Sequence, residues 1–502
     1  MEDTSTKRPS GEEISQPPVV HHRIESSAVL RNSVLLFGFH IFTKSMAFVS
    51  FILLAKYLGT QLFGVYNYAF ALTALFIPLC DLGMDTYLMR EIPRLQSDEI
   101  AKQLGAVLSW KGMLTFLVFL LMSLTTGILD NFGTDRFFMV VLAGLITLLR
   151  TYWTTFASFF RAINSVGYET GMLSLARVAE FIVVVVSISM DIGLLALLAV
   201  MTIVNIIFVS LTHVLVRARF TRPVMVQEFR HMLAMLRGGL PFALATIFSS
   251  IYFNFDTVLI SKFIGDDAAG IYRAAYNLLF PLTMFGLAIT GAVFPFASQN
   301  YGRSRLEVER VVRQSVVQLL MIALPIAITT SFLSHEIVRF LFAPEYAATA
   351  QCLTILVWFL PVVFLTNFFS NTLGAIDEQT FVLKVTILSA IFNVVANLIF
   401  VPRYAQTGAS VITVLTALLG FSFLVVKIGK RISSPISWAP LARVLLSGIA
   451  ILPLLLWKPQ IHILLLLFGS ILLYILALLL FRALSFKEVK MLFASLRSPA
   501  KF

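Results

Sequence analysis

The chain has 502 residues, of which 58% are hydrophobic and only 13% charged, with a mean hydropathy of +0.89, whereas soluble domains carry about 25% charged residues. This excludes a soluble globular protein and defines an all-α polytopic membrane protein. The net charge of +12 then reads as a topology signal rather than a nucleic-acid footprint, and the 46 Phe residues suit lipid-facing surfaces and helix contacts without any cofactor.

In chain order, residues 1–28, with Pro9, Gly11, Pro17 and Pro18 among Ser and Glu, are too polar to build a core and predict a disordered cytoplasmic tail. Fourteen apolar segments follow, each long enough to cross about 30 Å of hydrocarbon at about 1.5 Å per residue. They are expected at 29–57, 65–88, 106–128, 137–159, 168–189 and 193–216, which form an N-terminal six-helix lobe over 29–237. The segments 239–261, 270–297, 314–333, 349–373, 381–401 and 406–427 form a C-terminal lobe over 238–430. A last pair at 440–457 and 460–481 belongs to a terminal region, 431–502, that ends in a second cytoplasmic tail. The first apolar segment is too long for a signal-peptide core and is expected to remain as a helix.

The two lobes repeat one pattern 206 residues apart. Lys56-Tyr57-Leu58-Gly59, then Gly64-Val65-Tyr66 and Ala69, returns as Lys262-Phe263-Ile264-Gly265, then Gly270-Ile271-Tyr272 and Ala275. An even number of spans separates the copies, so the repeats are parallel, and each predicts the outer turn between the first two helices of its lobe. Duplicated lobes about a shared midplane site are a common construction for moving a substrate across a bilayer.

Placing the N-terminus inside assigns most of the 38 Lys and Arg to cytoplasmic loops, among them Arg90, Arg94 and Lys102, Arg217 to Arg237, Arg303 to Arg313, and Lys427 to Arg431. Both termini are therefore expected in the cytoplasm. The longest inner connection, 217–238, and outer connection, 333–348, are too short for a catalytic domain. No phosphate-binding G-x-x-x-x-G-K-[ST] loop, zinc-binding H-E-x-x-H helix or Cys/His cluster occurs, so neither a cofactor nor a metal is expected. Cys80 and Cys352 are expected as free thiols.

Charge within apolar spans is the remaining chemical signal, because Lys, Arg or Asp at a membrane-helix centre costs about 2.5–3.5 kcal/mol and normally faces a partner or a watery cavity. Lys44, Lys111, Arg150, Arg177 and Arg273 are the cationic candidates for an anion site, with Lys44 and Arg150 favoured. Arg177 and Glu180, spaced i and i+3, predict a self-neutralising structural pair. Asp256 is expected either to pair with Arg273 or to serve as an ion-coupling carboxylate. Asp81 and Asp85 predict a solvated helix end in an ion pair near Arg90, and Lys56, Lys262 and Lys384 predict interfacial anchors. Asn32, Asn277, Asn393 and Asn397 are candidates for interhelical hydrogen bonds or a sugar-compatible cavity lining.

Leu58-Gly59, Phe63-Gly64 and Tyr66, then Asp81-Leu82-Gly83-Met84-Asp85 and Arg90, resemble the first two helices of Wzx-type polysaccharide-biosynthesis membrane proteins. These belong to the multidrug/oligosaccharidyl-lipid/polysaccharide exporter superfamily. Pro241, Asp256 through Gly265 to Gly270-Ile271-Tyr272, and Val401-Pro402-Arg403-Tyr404 before Gly408-Ala409 extend the resemblance from about Asn32 to Arg431. It implies a flippase for polyprenyl-(di)phosphate-linked oligosaccharide, working by alternating access in the cytoplasmic membrane, with Lys44, Arg150, Arg273 and Asn277 around the substrate. The partners it implies are the lipid-linked oligosaccharide, membrane lipids and glycan polymerases or glycosyltransferases, with no nucleic acid and no cofactor. Two other readings stand beside it: a multidrug and toxin extruder, whose cationic substrates favour an acidic cavity, and a membrane glycosyltransferase or polymerase, which needs larger outer loops.

Overall fold

The computed structural model describes residues 26–224, 229–432, 435–457 and 462–484. The tail expected over 1–28 lies outside the described residues up to position 25, as does the C-terminal tail from 485 onward. Among the described residues there are helices, short 3-10 turns and no strand. In hydrocarbon each backbone N–H and C=O must be satisfied within its own segment, and uninterrupted helices do that.

The chain runs through α1 (Ser26–Asp81), α2 (Met84–Glu91), α3 (Ser97–Asp130), α4 (Asp135–Ala162), α5 (Val166–Ser189) and α6 (Leu194–Arg219). It continues with α7 (Phe229–Phe263), α8 (Asp266–Leu279), α9 (Thr283–Asn300), α10 (Arg305–Phe332), α11 (Ser334–Leu341), α12 (Thr349–Leu356) and α13 (Phe359–Ala375). The last elements are α14 (Gln379–Arg431), α15 (Trp438–Ile449), α16 (Leu452–Trp457) and α17 (Ile463–Leu480).

Twelve stretches among the described residues are long and apolar enough to cross a membrane, and two of them turn back on themselves to give fourteen segments. In α1 the break is Gly59, at φ 68 and ψ 176. The Phe51 and Phe63 rings on either side of it lie 5.6 Å apart, which a straight helix rising about 1.5 Å per residue forbids. In α14 the break is Ala405, at φ 49; across it Asn393 Nδ2 donates to Thr416 Oγ1 at 3.4 Å. Large exposed apolar side chains such as Phe116, Leu124, Phe468 and Trp457 form the surface that lipid covers.

The inner end of the second segment differs from the expected span 65–88. Helix stops at Asp81, passes through Leu82 and Gly83 with φ of 45° and 82°, and restarts at Met84. The Asp81 carboxylate accepts from the Gly83 N–H at 3.1 Å and the Asp85 N–H at 3.2 Å, capping the new helix. The outer connection 333–348 is likewise not plain loop, for it contains α11 and a 3-10 turn at Pro344–Tyr346.

The repeated segments meet face to face. Gly59 and Gly265 both hold positive φ, 68° and 130°, so each repeat uses its first glycine to turn the chain. The second glycines pack the two halves together, for a Cβ at Gly64 would fall 1.8 Å from the Asp266 carbonyl oxygen and one at Gly270 2.2 Å from the Thr60 oxygen. Around this crossing Arg136 pairs with Asp130 and with Asp266, each at 2.6 Å, and Lys262 also pairs with Asp130. The Tyr68 hydroxyl donates to Asp130 at 2.7 Å, and the Thr60 hydroxyl donates to Asp267. Lys262 is thus an ion-pair member joining α7 to α3, which adds to its expected anchoring role.

Replacing Gly64 or Gly270 with Ala forces this contact apart, since the obstructing atoms are backbone. A loss of about 1–3 kcal/mol is expected, read as a lower melting midpoint in detergent, whereas Gly171→Ala, with open space around it, leaves the midpoint unchanged.

Candidate functional site

Three helices of the first half bring polar side chains together. Arg150 lies midway along α4, Arg177 and Glu180 one turn apart on α5, and Asn205 near the middle of α6. Arg150 Nη2 donates to Glu180 Oε1 at 2.6 Å, Arg177 Nη1 donates to Oε2 at 2.7 Å, and Asn205 Nδ2 donates to Oε1 at 3.2 Å. One carboxylate therefore holds two guanidinium groups. The three ionised side chains sum to one positive charge, and they line a cavity of ≈ 190 Å³ with Tyr66, Asn67 and Asn277. Arg150 Nε is buried without a protein partner. Asn277 Nδ2, on α8, donates to Asn67 Oδ1 at 3.3 Å, so the second half closes one side.

The sequence-derived site residues separate into three places. Arg150, Asn277 and the repeat residue Tyr66 share this cavity. Lys44 does not line it: the side chain is exposed, with its ammonium 5.9 Å from the Phe280 ring centroid, although Ala47, one turn on, is in the wall. Arg273 is buried elsewhere in the second half and does not join Arg150. Arg177 and Glu180 form the expected pair but, through Arg150, are also part of the cavity. The available signal was depth, since Arg150, Glu180 and Asn205 all interrupt apolar runs near their middles.

The expected Asp256–Arg273 ion pair is absent. Asp256 accepts a hydrogen bond from the Tyr272 hydroxyl, from the Thr257 N–H at 2.6 Å and from the Thr257 hydroxyl at 3.2 Å. Arg273 instead donates to Asn254 Oδ1 at 2.9 Å and lies 5.2 Å from the Tyr276 ring centroid. Tyrosine, the repeat residue, reaches the carboxylate first because Tyr272 and Asp256 both face inward, and the neighbouring position turns Arg273 toward Asn254. Asn397 Nδ2 donates to Asn393 Oδ1 at 3.1 Å within one segment of α14, and Asn393 carries the interhelical bond, donating to Thr416 across the break. The side chain of Asn32 lies outside the described residues.

Lys111, Asp81 and Asp85 also depart from expectation. Lys111 is fully buried, and its ammonium donates to Asp81 at 3.1 Å, to both Asp85 oxygens at 3.0 Å and to Thr155 Oγ1 at 2.6 Å. The aspartates are consequently not a solvated helix end, Arg90 pairs with Glu91, and Lys111 is spent on its own partners rather than on an anion site. Among the described residues no group of three or more His, Cys, Asp or Glu is placed to hold a metal, and Cys80 and Cys352 are free and buried.

Fold and charge arrangement define the class first: a polytopic all-α protein of the multidrug/oligosaccharidyl-lipid/polysaccharide exporter architecture. The lipid II flippase MurJ in an inward closed conformation shares the fold, with a TM-score of 0.75 and 15% identity over 93% of this chain and 100% of that one. Residues 29–301 match the family described as polysaccharide biosynthesis protein, and the chain belongs to that family; residues 241–399 also match the MatE model. The putative O-antigen transporter of Shigella flexneri is 25% identical over 367 residues, 70% of this chain and 83% of that protein. The probable low-salt glycan biosynthesis flippase Agl15 of Haloferax volcanii is 21% identical over 203 residues, 39% of this chain. The match spans 42% of that relative's length.

Lys111→Met strands two carboxylates without a counterion, which is expected to remove about 3–5 kcal/mol of stability. The melting midpoint in detergent reads the loss, and adding Asp85→Asn to Lys111→Met is expected to recover part of it.

Proposed function

We propose that this chain is a flippase that carries a polyprenyl-phosphate- or polyprenyl-diphosphate-linked oligosaccharide across the cytoplasmic membrane by alternating access. The observation that carries the reading is the net-positive cavity formed by Arg150, Arg177 and Glu180 among the helices of the first half. The cavity's guanidinium donors replace the hydration that a phosphate loses on entering the membrane. Glu180 keeps both arginines extended and neutralises one of them until substrate arrives. The names of the two relatives, a probable glycan biosynthesis flippase and a putative O-antigen transporter, support the same substrate class.

In this reading 29–237 and 238–430 are the two rocking lobes, 431–502 adds a helix pair and tail, and both termini face the cytoplasm. Lys44, on the exposed part of α1, and Arg273 lie outside the cavity in this conformation and are assigned to other stages of the passage. Asp256, with no cation in ion-pair range, is assigned to ion coupling. A cation exporter of the multidrug type is disfavoured by the sign of the cavity charge. A non-catalytic carrier fits the short connections, and polymerases or glycosyltransferases are the partners expected to supply and consume its cargo.

Inorganic pyrophosphate tests the cavity on purified protein. It is expected to raise the melting midpoint of the wild type. Glu180→Gln, which takes the cluster from one to two positive charges, is expected to tighten binding about tenfold, and Arg150→Ala to weaken it about tenfold. Equal responses in all three proteins remove this cavity from the site.

In cells, deletion is expected to accumulate a lipid-linked oligosaccharide on the cytoplasmic leaflet, identified by mass spectrometry. Arg150→Ala at normal protein level is expected to reproduce that accumulation. Deletion without any lipid-linked glycan accumulating counts against the flippase.

A further inference from the structure

We propose that a second cavity, in the second half, is a subsite for one uncharged sugar ring of the cargo. It lies between α7, α13 and both segments of α14, has a volume of ≈ 140 Å³, and no Asp, Glu, Lys or Arg lines it. This inference rests on the flippase reading and deepens it, because it assigns glycan recognition to a place separate from the arginine cluster.

Hydrogen-bonding capacity in the wall is left unused. Ser249, Tyr252, Asn367, Ser370 and Ser389 line the cavity and make no side-chain hydrogen bond to the protein, and Thr366 Oγ1 is buried without a partner. Thr366 Oγ1, cut off from solvent, is destabilising by about 1–3 kcal/mol unless an occupant bonds it, and the other five side chains offer open donors and acceptors beside it. That occupant has to offer several donors and acceptors at once.

The rest of the wall narrows its chemistry. Phe359 is buried, Phe253 is partly buried, and Tyr252 and Phe253 meet edge to face at 4.7 Å, so apolar ring surface faces the same space as the hydroxyls. A lipid tail would leave the hydroxyls unbonded, and a divalent cation would find no carboxylate. Water would satisfy the polar groups and make no use of the aromatic faces. A neutral pyranose matches both, with hydroxyls around its edge and C–H groups on its faces. A sugar acid does not, since no cation lies in the wall to compensate its charge.

The position is also apt. Phe253 is adjacent to Asn254, the partner of Arg273, and Leu424 is one turn from Lys427, on the side predicted to face the cytoplasm. A glycan entering from that side meets the hydroxyl-lined wall in one half while its phosphate is drawn to the arginines of the other.

A diazirine derivative of methyl N-acetylglucosaminide is photolysed with the purified full chain, and labelled peptides are mapped by mass spectrometry. Label is expected on 366–370 or 382–389, displaced by excess methyl N-acetylglucosaminide but not by methyl glucuronide. Ser389→Val, or independently Ser370→Val, is expected to reduce it about tenfold while the pyrophosphate response stays at the wild-type level. The subsite is overturned by absence of displaceable label in the wild type, by label confined to other helices, or by folded variants that label like the wild type. The pyrophosphate response of the wild type and Arg150→Ala reports separately on the parent reading, so either idea can fail without the other.

Discussion

In hydrocarbon a charge persists only beside an opposite charge or a watery space, and the internal architecture of this protein follows from that constraint. Each buried cluster answers it differently. The Asp130–Arg136–Lys262–Asp266 group balances two cations against two carboxylates and joins the halves beside the glycine crossing. Lys111 between Asp81 and Asp85 leaves one negative charge but adds the hydroxyls of Thr154 and Thr155. Among the described residues the Arg150–Arg177–Glu180 cluster combines excess positive charge with open volume, and this combination makes it the candidate for an anion.

The duplicated scaffold shows how such differences arise without changing the fold. Tyr66 and Tyr272 occupy equivalent places in the repeat, yet Tyr66 lines the charged cavity and Tyr272 is fully buried on Asp256. The neighbouring positions differ in sequence, Asn67 against Arg273. Asn67 meets Asn277 across the halves, whereas Arg273 turns to Asn254 within its own half. Glycine retains the same work in both copies, so close backbone crossing persists where side-chain chemistry has diverged.

The carrier role proposed above requires the desolvation of two unlike groups, a phosphate and a glycan. The first half supplies guanidinium donors and the second an uncharged wall of hydroxyls and rings. The ion pairs of Asp130, Arg136, Lys262 and Asp266 join the halves at the glycine crossing. Because each of these pairs is one or two contacts on a glycine crossing, the contact can be made and broken as a unit rather than deformed gradually.

Hydropathy and the repeated glycines determined the membrane class, the fourteen segments and the turns at Gly59 and Gly265. These are local properties: transfer to lipid adds residue by residue, and a positive φ is a demand on one position. Tertiary structure alone decided which charges meet. Arg136 and Asp266 are 130 residues apart, Lys111 and Asp85 are 26 apart, and Arg273 misses Asp256 although it lies one position beyond the tyrosine that reaches it. Pairing depends on the depth and rotation of each helix about its axis, and those are set by packing against neighbours that an apolar run does not specify.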